Sequence, residues 1–261
     1  MAVVSALYVY PIKACRGVRV AEWPVVARGF DADRRWMLVD EAGTFVSQRE
    51  EPRLALVNTA FDGDDLRIDA LGLAPLTLPR SYEAGAARTV RVWNDQVLGC
   101  AHPEASAWFS EFVGAPVELV YMPEAQHRPV NPARARAGDI VSFADGYPFL
   151  LISEASLEDL NARMAEPVPM ERFRPNIVVS GIQAFAEDEF SHVRLGEISF
   201  RGVKRCDRCV VTTIDIATGE PSQEPLRTLA TFRRWDSQVW FGMNLIHDAP
   251  GVLRVGDPVQ V

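Results

Sequence analysis

Short β-branched or apolar runs, each ended by a turn cluster, recur through the first hundred residues and limit the possible folds more than any other feature. Val3-Val4, Leu7, Val9 and Ile12 lead into a Pro- and Gly-bounded turn, Pro11 to Gly17, that carries two cations. Arg35–Asp40, the turn Glu41–Gly43 and Thr44–Arg49 predict one hairpin, and Leu54–Phe61, the turn Asp62–Asp65 and Leu66–Asp69 predict a second. Val90–Trp93 adds another strand. Strands spaced about 8–12 residues apart point to a barrel or sandwich, because βαβ units would need helical patterns between them. The expected class is α+β and β-rich, a β-barrel with a few short helices.

Helical periodicity is confined to short stretches. Ala105, Trp108, Phe109, Phe112 and Val113 share one face of a predicted helix over 104–113. The strand Val117–Tyr121 precedes a Pro- and Arg-rich stretch, His127–Gly138, read as a solvated loop or as a basic lid over an anionic ligand. Phe149–Ile152 runs into Ser153-Glu-Ala-Ser156, where Ser156 and Asp159 form an expected capping box and the exposed N–H groups could take an anion. The strand Ile177–Ser180, a helix from Pro225, and strand-like runs at 240–246 and 252–261 complete the chain.

Composition excludes several classes of function. A net charge of −8 argues against nonspecific nucleic-acid binding. No apolar run approaches the roughly 20 residues of a membrane span, and no basic segment with an apolar stretch opens the chain. Four cysteines in 261 residues are too few for a disulfide scaffold, so a reducing cytoplasm is the expected location.

Two of those cysteines form Cys206-Asp-Arg-Cys209, flanked by Lys204, Arg205 and Arg208 and followed by a β-branched run read as a strand. Neighbouring cations favour thiolate, which serves either as a nucleophile or as a soft-metal ligand. Structural zinc would need a second pair, and the four histidines form no H-x-x-x-H. Phosphate loops and nucleophile elbows are missing. Lys13, Arg34, Ser153, Arg174, Asn176 and the sulfur of Cys209 remain; together they suit a phosphate-bearing organic cofactor with a soft metal at one end.

Seven stretches then stand in a familiar order: Tyr10–Lys13, Gly29–Trp36, Gln48–Arg53, Phe149–Leu157, Phe173–Ile177, Arg205–Asp215 and Val255–Val259. They resemble MOSC-domain proteins, in particular the mitochondrial amidoxime-reducing components and their bacterial relatives. The resemblance implies a MOSC β-barrel at about 96–261 joined to an N-terminal β-rich domain at about 1–95. It implies a molybdenum cofactor whose metal is held by Cys209, with Lys13, Arg34, Arg174, Asn176 and, less closely matched, Ser153 binding the rest. The activity implied is reduction of N-hydroxylated compounds, using electrons from a separate iron–sulfur, flavin or b-type cytochrome protein. MOSC domains also serve cofactor sulfurases, which leaves a carrier or sulfur-transfer module as the alternative. Asp207 is a candidate for handling the protons of departing water. Targeting segments of the eukaryotic proteins and the ferredoxin domain of some bacterial ones are not expected here. Ala14 stands where the family often has serine, Asn244 where it has tyrosine, and Gly146-Tyr147 where close eukaryotic relatives have Thr-Ser. The metal ligand is therefore expected to carry over, and the pocket shape is not.

Overall fold

The computed structural model describes residues 1–261. Its main element is a nine-stranded sheet. Along its path lie Val18–Val20, Val3–Val9, Ile177–Ser180, Phe149–Ser153, Gln238–His247, Ile198–Asp207, His192–Leu195 and Val259–Gln260, with Arg234–Trp235 pairing to one side. Phe149–Ser153 and Ile177–Ser180 run parallel, and the chain between them includes the helix Glu154–Asn161. A parallel pair requires such a crossover, whereas the antiparallel neighbours need only turns.

The central strands are continuous apolar runs because both faces of the sheet are covered. Phe149 and Leu151 pack on one side with Val4, Leu7, Ile177 and Phe200. Leu150 and Ile152 pack on the other with Tyr8, Phe173 and Phe241. The strand path does not close into a ring. A bridge from Val3 to Pro258 and hydrogen bonds from Val4 N to Asp257 O (2.9 Å) and Val259 N to Ala2 O (3.0 Å) tie its last segment back to the first strand of the chain. The molecule is β-rich with short helices, as expected, but its barrel is open.

A second core gathers Ile12, Trp36, Leu54, Ile68 and Phe109. It is built by the strands Trp36–Val39 and Glu118–Tyr121, which Asp95–Ala101 and Ala86–Val92 extend into one sheet, and by the meander Asn58–Asp62, Asp65–Asp69, Leu76–Pro79. The helix Pro103–Val113 covers it, with Ala105 and Phe109 buried. Pro103 sits where a missing N–H costs nothing, His102 Nδ1 accepts from Ala105 N (3.3 Å), and Gly114 ends the helix at φ 79°. No helix is long and apolar enough to cross a membrane.

Four local expectations are corrected. Trp36–Val39 pairs with Glu118–Tyr121 instead of forming a hairpin with 44–49, which keeps one bridge, Val39 to Phe45. Pro52–Leu56 is a 3-10 turn, started by a proline and capped by Glu51, so the second hairpin begins at Asn58. Val210–Thr213 is also a 3-10 turn: the hydroxyls of Thr212 and Thr213 donate back to the carbonyls of Cys209 (3.0 Å) and Val210 (2.7 Å), competing with strand pairing. Finally, the helix after Phe149–Ser153 is capped by Ser153, which accepts from Ser156 N (3.1 Å), and not by Ser156.

Candidate active site

The strand Ile198–Asp207 ends at the cysteine pair. Its register against Gln238–His247 shifts twice, between Gly202 and Lys204 and again between Arg205 and Asp207. Such irregularities bend a strand and re-aim its side chains. Here they turn Cys206 toward a cleft whose wall Cys209 also forms, and both thiols are free and half-buried. Arg208 Nη1 donates to Cys206 Sγ at 3.0 Å. Burial pushes the Cys206 thiol up from its ordinary pKa, against the pull of Arg208. Of the other flanking cations, Lys204 pairs with Asp207 (2.6 Å) and Arg205 with Glu189 (2.6 Å). The cation on Cys209 comes from far away in sequence: Arg49 Nη2 donates to its sulfur at 3.2 Å.

The opposite wall is cationic and braced from behind. Lys13, buried, donates to Phe143 O (2.8 Å) and Asp145 Oδ1 (2.5 Å). Burial lowers the Lys13 pKa, and Asp145 works against that shift. Arg34 and Arg174 both adopt left-handed backbone, at φ 46° and 55°, and both guanidiniums stack on the Tyr10 ring, 4.3 and 4.4 Å from its centroid. Asn176 accepts from Arg34 Nη1 (3.0 Å) and donates to Asp33 Oδ1 (3.1 Å), so it fixes Arg34 from inside the wall. Arg174 donates to Cys15 O (2.6 Å), and burial lowers its pKa.

Lys13, Arg34, Arg174, Asn176, Asp207 and Cys209 therefore line one cleft. Ser153 does not. It is wholly buried at its helix N-terminus, where its hydroxyl donates to Glu187 Oε2 (3.0 Å). Glu187 also accepts from Ser153 N and Ser156 Oγ, so an internal carboxylate already sits at the helix N-terminus expected to receive an anion. The Arg-rich stretch 127–138 contributes no lining residue and is not a lid. Its Arg128 turns inward and donates to the carbonyls of Ser142 (3.0 Å), Ala144 (2.5 Å) and Asp145 (3.0 Å), holding the cleft wall from outside.

Arg49, Ser47, Gln48 and Asp145 are lining residues that no motif chemistry singled out. The only signal was that Gln48 and Arg49 open one of the recurring stretches. Ala14, Gly146, Tyr147 and Asn244, the four departures from the family pattern, all line the cleft. Five cations and two carboxylates lie in this lining, although the whole chain has a net charge of −8. A local field of this sign attracts an anionic ligand.

An open β-rich sheet with a cysteine turn facing a cationic wall defines a MOSC-type protein, and comparison with known proteins agrees. The MOSC N-terminal beta barrel domain matches residues 1–116 and the MOSC domain residues 138–260. The chain is 36% identical over 278 residues to mitochondrial amidoxime-reducing component 1 of Homo sapiens, covering 99% of this chain and 82% of that one. It is 37% identical over 278 residues to mitochondrial amidoxime reducing component 2 of Rattus norvegicus, covering 98% and 82%. It belongs to the family of these MOSC-domain proteins.

Proposed function

We propose that this chain is a molybdenum-cofactor-dependent reductase of N-hydroxylated compounds such as amidoximes, hydroxylamines and N-oxides, served by a separate electron-donor protein. One observation carries the proposal: a half-buried thiol, Cys209, ends a cleft whose other wall presents Lys13, Arg34 and Arg174. The names of the relatives support the substrate class.

The residues fit the cofactor. No three His, Cys, Asp or Glu side chains converge on a common point, so what the cleft offers a metal is cysteine sulfur and not a cage. A metal carried on an organic dithiolene needs only such a ligand. Cys209 would hold the metal, while Lys13, Arg34 and Arg174 would take the phosphate and pterin end, Lys as a point charge and Arg as a planar fork. Asn176 fixes Arg34 rather than offering a free group.

When bound, the cofactor supplies two-electron chemistry that cleaves the N–O bond of the substrate. Two electrons from the donor and two protons convert the N-hydroxyl compound to its N–H form plus water. The chain binds and orients, and it manages those protons. Asp207, exposed and paired with Lys204, would relay a proton toward the departing water.

The test is metal and pterin content of protein made in a host that synthesises the cofactor, with Cys209→Ala alongside, followed by turnover of an N-hydroxylated substrate with an artificial donor. Near-stoichiometric molybdenum that Cys209→Ala loses, together with turnover, is the expected result. Cofactor retained without turnover would favour a carrier, and protein with neither metal nor pterin would end the proposal.

A further inference from the structure

Behind the Tyr10–Arg174 wall lies a second cavity of about 180 Å³, lined in part by Tyr8, Tyr10, Arg16, Arg19, Glu171 and Arg174. A water occupies about 30 Å³ of liquid, so the space holds a polyatomic ion with part of its hydration shell. Three guanidiniums and a single carboxylate line it, and Oε1 of that carboxylate, Glu171, accepts from the Tyr8 hydroxyl of the same lining at 3.2 Å, so the lining carries a net positive charge. The arginines are anchored through backbone carbonyls, which position a guanidinium without neutralising it. Arg16 Nε donates to Ala55 O (2.9 Å) and its Nη2 to Ile216 O, while Arg174 Nη1 donates to Cys15 O (2.6 Å). Arg19 projects from the strand Val18–Val20 and is exposed. Guanidiniums that outnumber the carboxylates around a cavity are the donor set for a bidentately held oxyanion.

Arg174 lines both cavities. It follows the 3-10 turn Met170–Phe173 in left-handed backbone, which swings its side chain across the Tyr10 ring into the partition between them. We propose that this second cavity is a binding site for a phosphate-class oxyanion, free or borne on a small organic molecule, held by Arg16, Arg19 and the outer face of Arg174. It shares Arg174 with the cysteine cleft but does not depend on the activity assigned to that cleft.

The experiment uses full-length protein made without the cofactor, so that it stands apart from the reductase proposal. Inorganic phosphate is titrated calorimetrically at constant ionic strength into the wild type, Lys13→Ala, Arg19→Gln and Arg16→Gln. Lys13→Ala weakens any phosphate bound in the main cleft, and Arg19→Gln alters an exposed side chain without threatening the fold. A thermal melt checks that Arg16→Gln remains folded. The expected result is phosphate binding that survives Lys13→Ala and weakens about tenfold or more in Arg19→Gln and Arg16→Gln. Repeating the titration with a nucleoside monophosphate identifies the source: tighter binding marks an ester-borne phosphate, and loss of binding marks free phosphate. Binding abolished by Lys13→Ala and unmoved by Arg19→Gln, or no phosphate binding at all, would overturn the proposal.

Discussion

Asp33 shows how far the cleft depends on one side chain outside it. Its Oδ1 accepts from Tyr10 N (2.8 Å) and Asn176 Nδ2 (3.1 Å), and its Oδ2 from Arg34 Nη1 (2.5 Å), with 3% of the residue exposed. Removing one partner of a buried pair leaves the other charge uncompensated, at a cost of about 3–5 kcal/mol. Asp33→Ala should therefore lower stability by that amount in urea melts, and Asp33→Asn, which keeps an acceptor for Tyr10 N, should lose less. A cost for Asp33→Ala under about 1 kcal/mol would show that Arg34 finds other support. His247 provides a pH-dependent counterpart. Burial drives its pKa below the ordinary value of about 6.5, and its ring meets Phe149 edge-on at 5.5 Å. With a lowered folded pKa, the unfolded chain binds more protons. The contribution is complete above about pH 6.5 and is lost as pH falls through the folded value. His247→Phe should flatten the fall in melting temperature between mildly alkaline and mildly acidic buffer. Parallel curves for the two proteins would remove His247 as a source of the slope.

At the level of elements, the strand Ile198–Asp207 depends on a residue with no side chain. A Cβ at Gly202 would lie 1.6 Å from the carbonyl oxygen of Phe190, and Gly202 N itself donates to Ser191 O (3.0 Å). Backbone must move to admit even a methyl group. Gly202→Ala should cost about 3 kcal/mol, at the upper end for overpacking, and should displace Cys206 and Cys209. A fall in the urea midpoint with unchanged slope, together with altered alkylation rates of the two thiols, would show both effects; wild-type values for both would refute them. The elements legible in the sequence were those carrying local signals. The helix Pro103–Val113 has its periodicity, its proline and its terminal glycine within one window. Val210–Thr213 was misread because β-branching suggests a strand, while the deciding threonine hydroxyls bond backward over three residues. Lys13, Arg34, Arg174, Asn176 and Cys209 were legible through the order of their motifs. Arg49 was not, because its approach to Cys209 spans 160 residues and exists only once both halves have folded. Ser153 was misplaced for a similar reason: its partner Glu187 lies 34 residues away and pulls the hydroxyl to the interior.

The whole molecule is tied together by its first strand. Val3–Val9 lies between Val18–Val20 and Ile177–Ser180 and buries Val4 and Leu7 on one face and Ala6 and Tyr8 on the other. The second half of the chain thus depends on a strand from the extreme N-terminus. The cleft has the same composition, since Lys13, Arg34 and Arg49 come from early in the chain and Arg174, Cys206 and Cys209 from late in it. A fragment spanning residues 117–261 would contain the entire stretch matched to the MOSC domain, yet it would leave the strand Ile177–Ser180 without its neighbour and with apolar side chains exposed on both faces. An uncovered, flat, apolar edge of this kind pairs with other copies. The fragment should therefore aggregate or show no cooperative melt, and coexpression with residues 1–116 should restore a soluble complex carrying the cleft. A fragment that melts cooperatively by itself would mean that the first strand adds to a sheet already stable without it. The dependence would then run one way, with the N-terminal part folding against a finished domain.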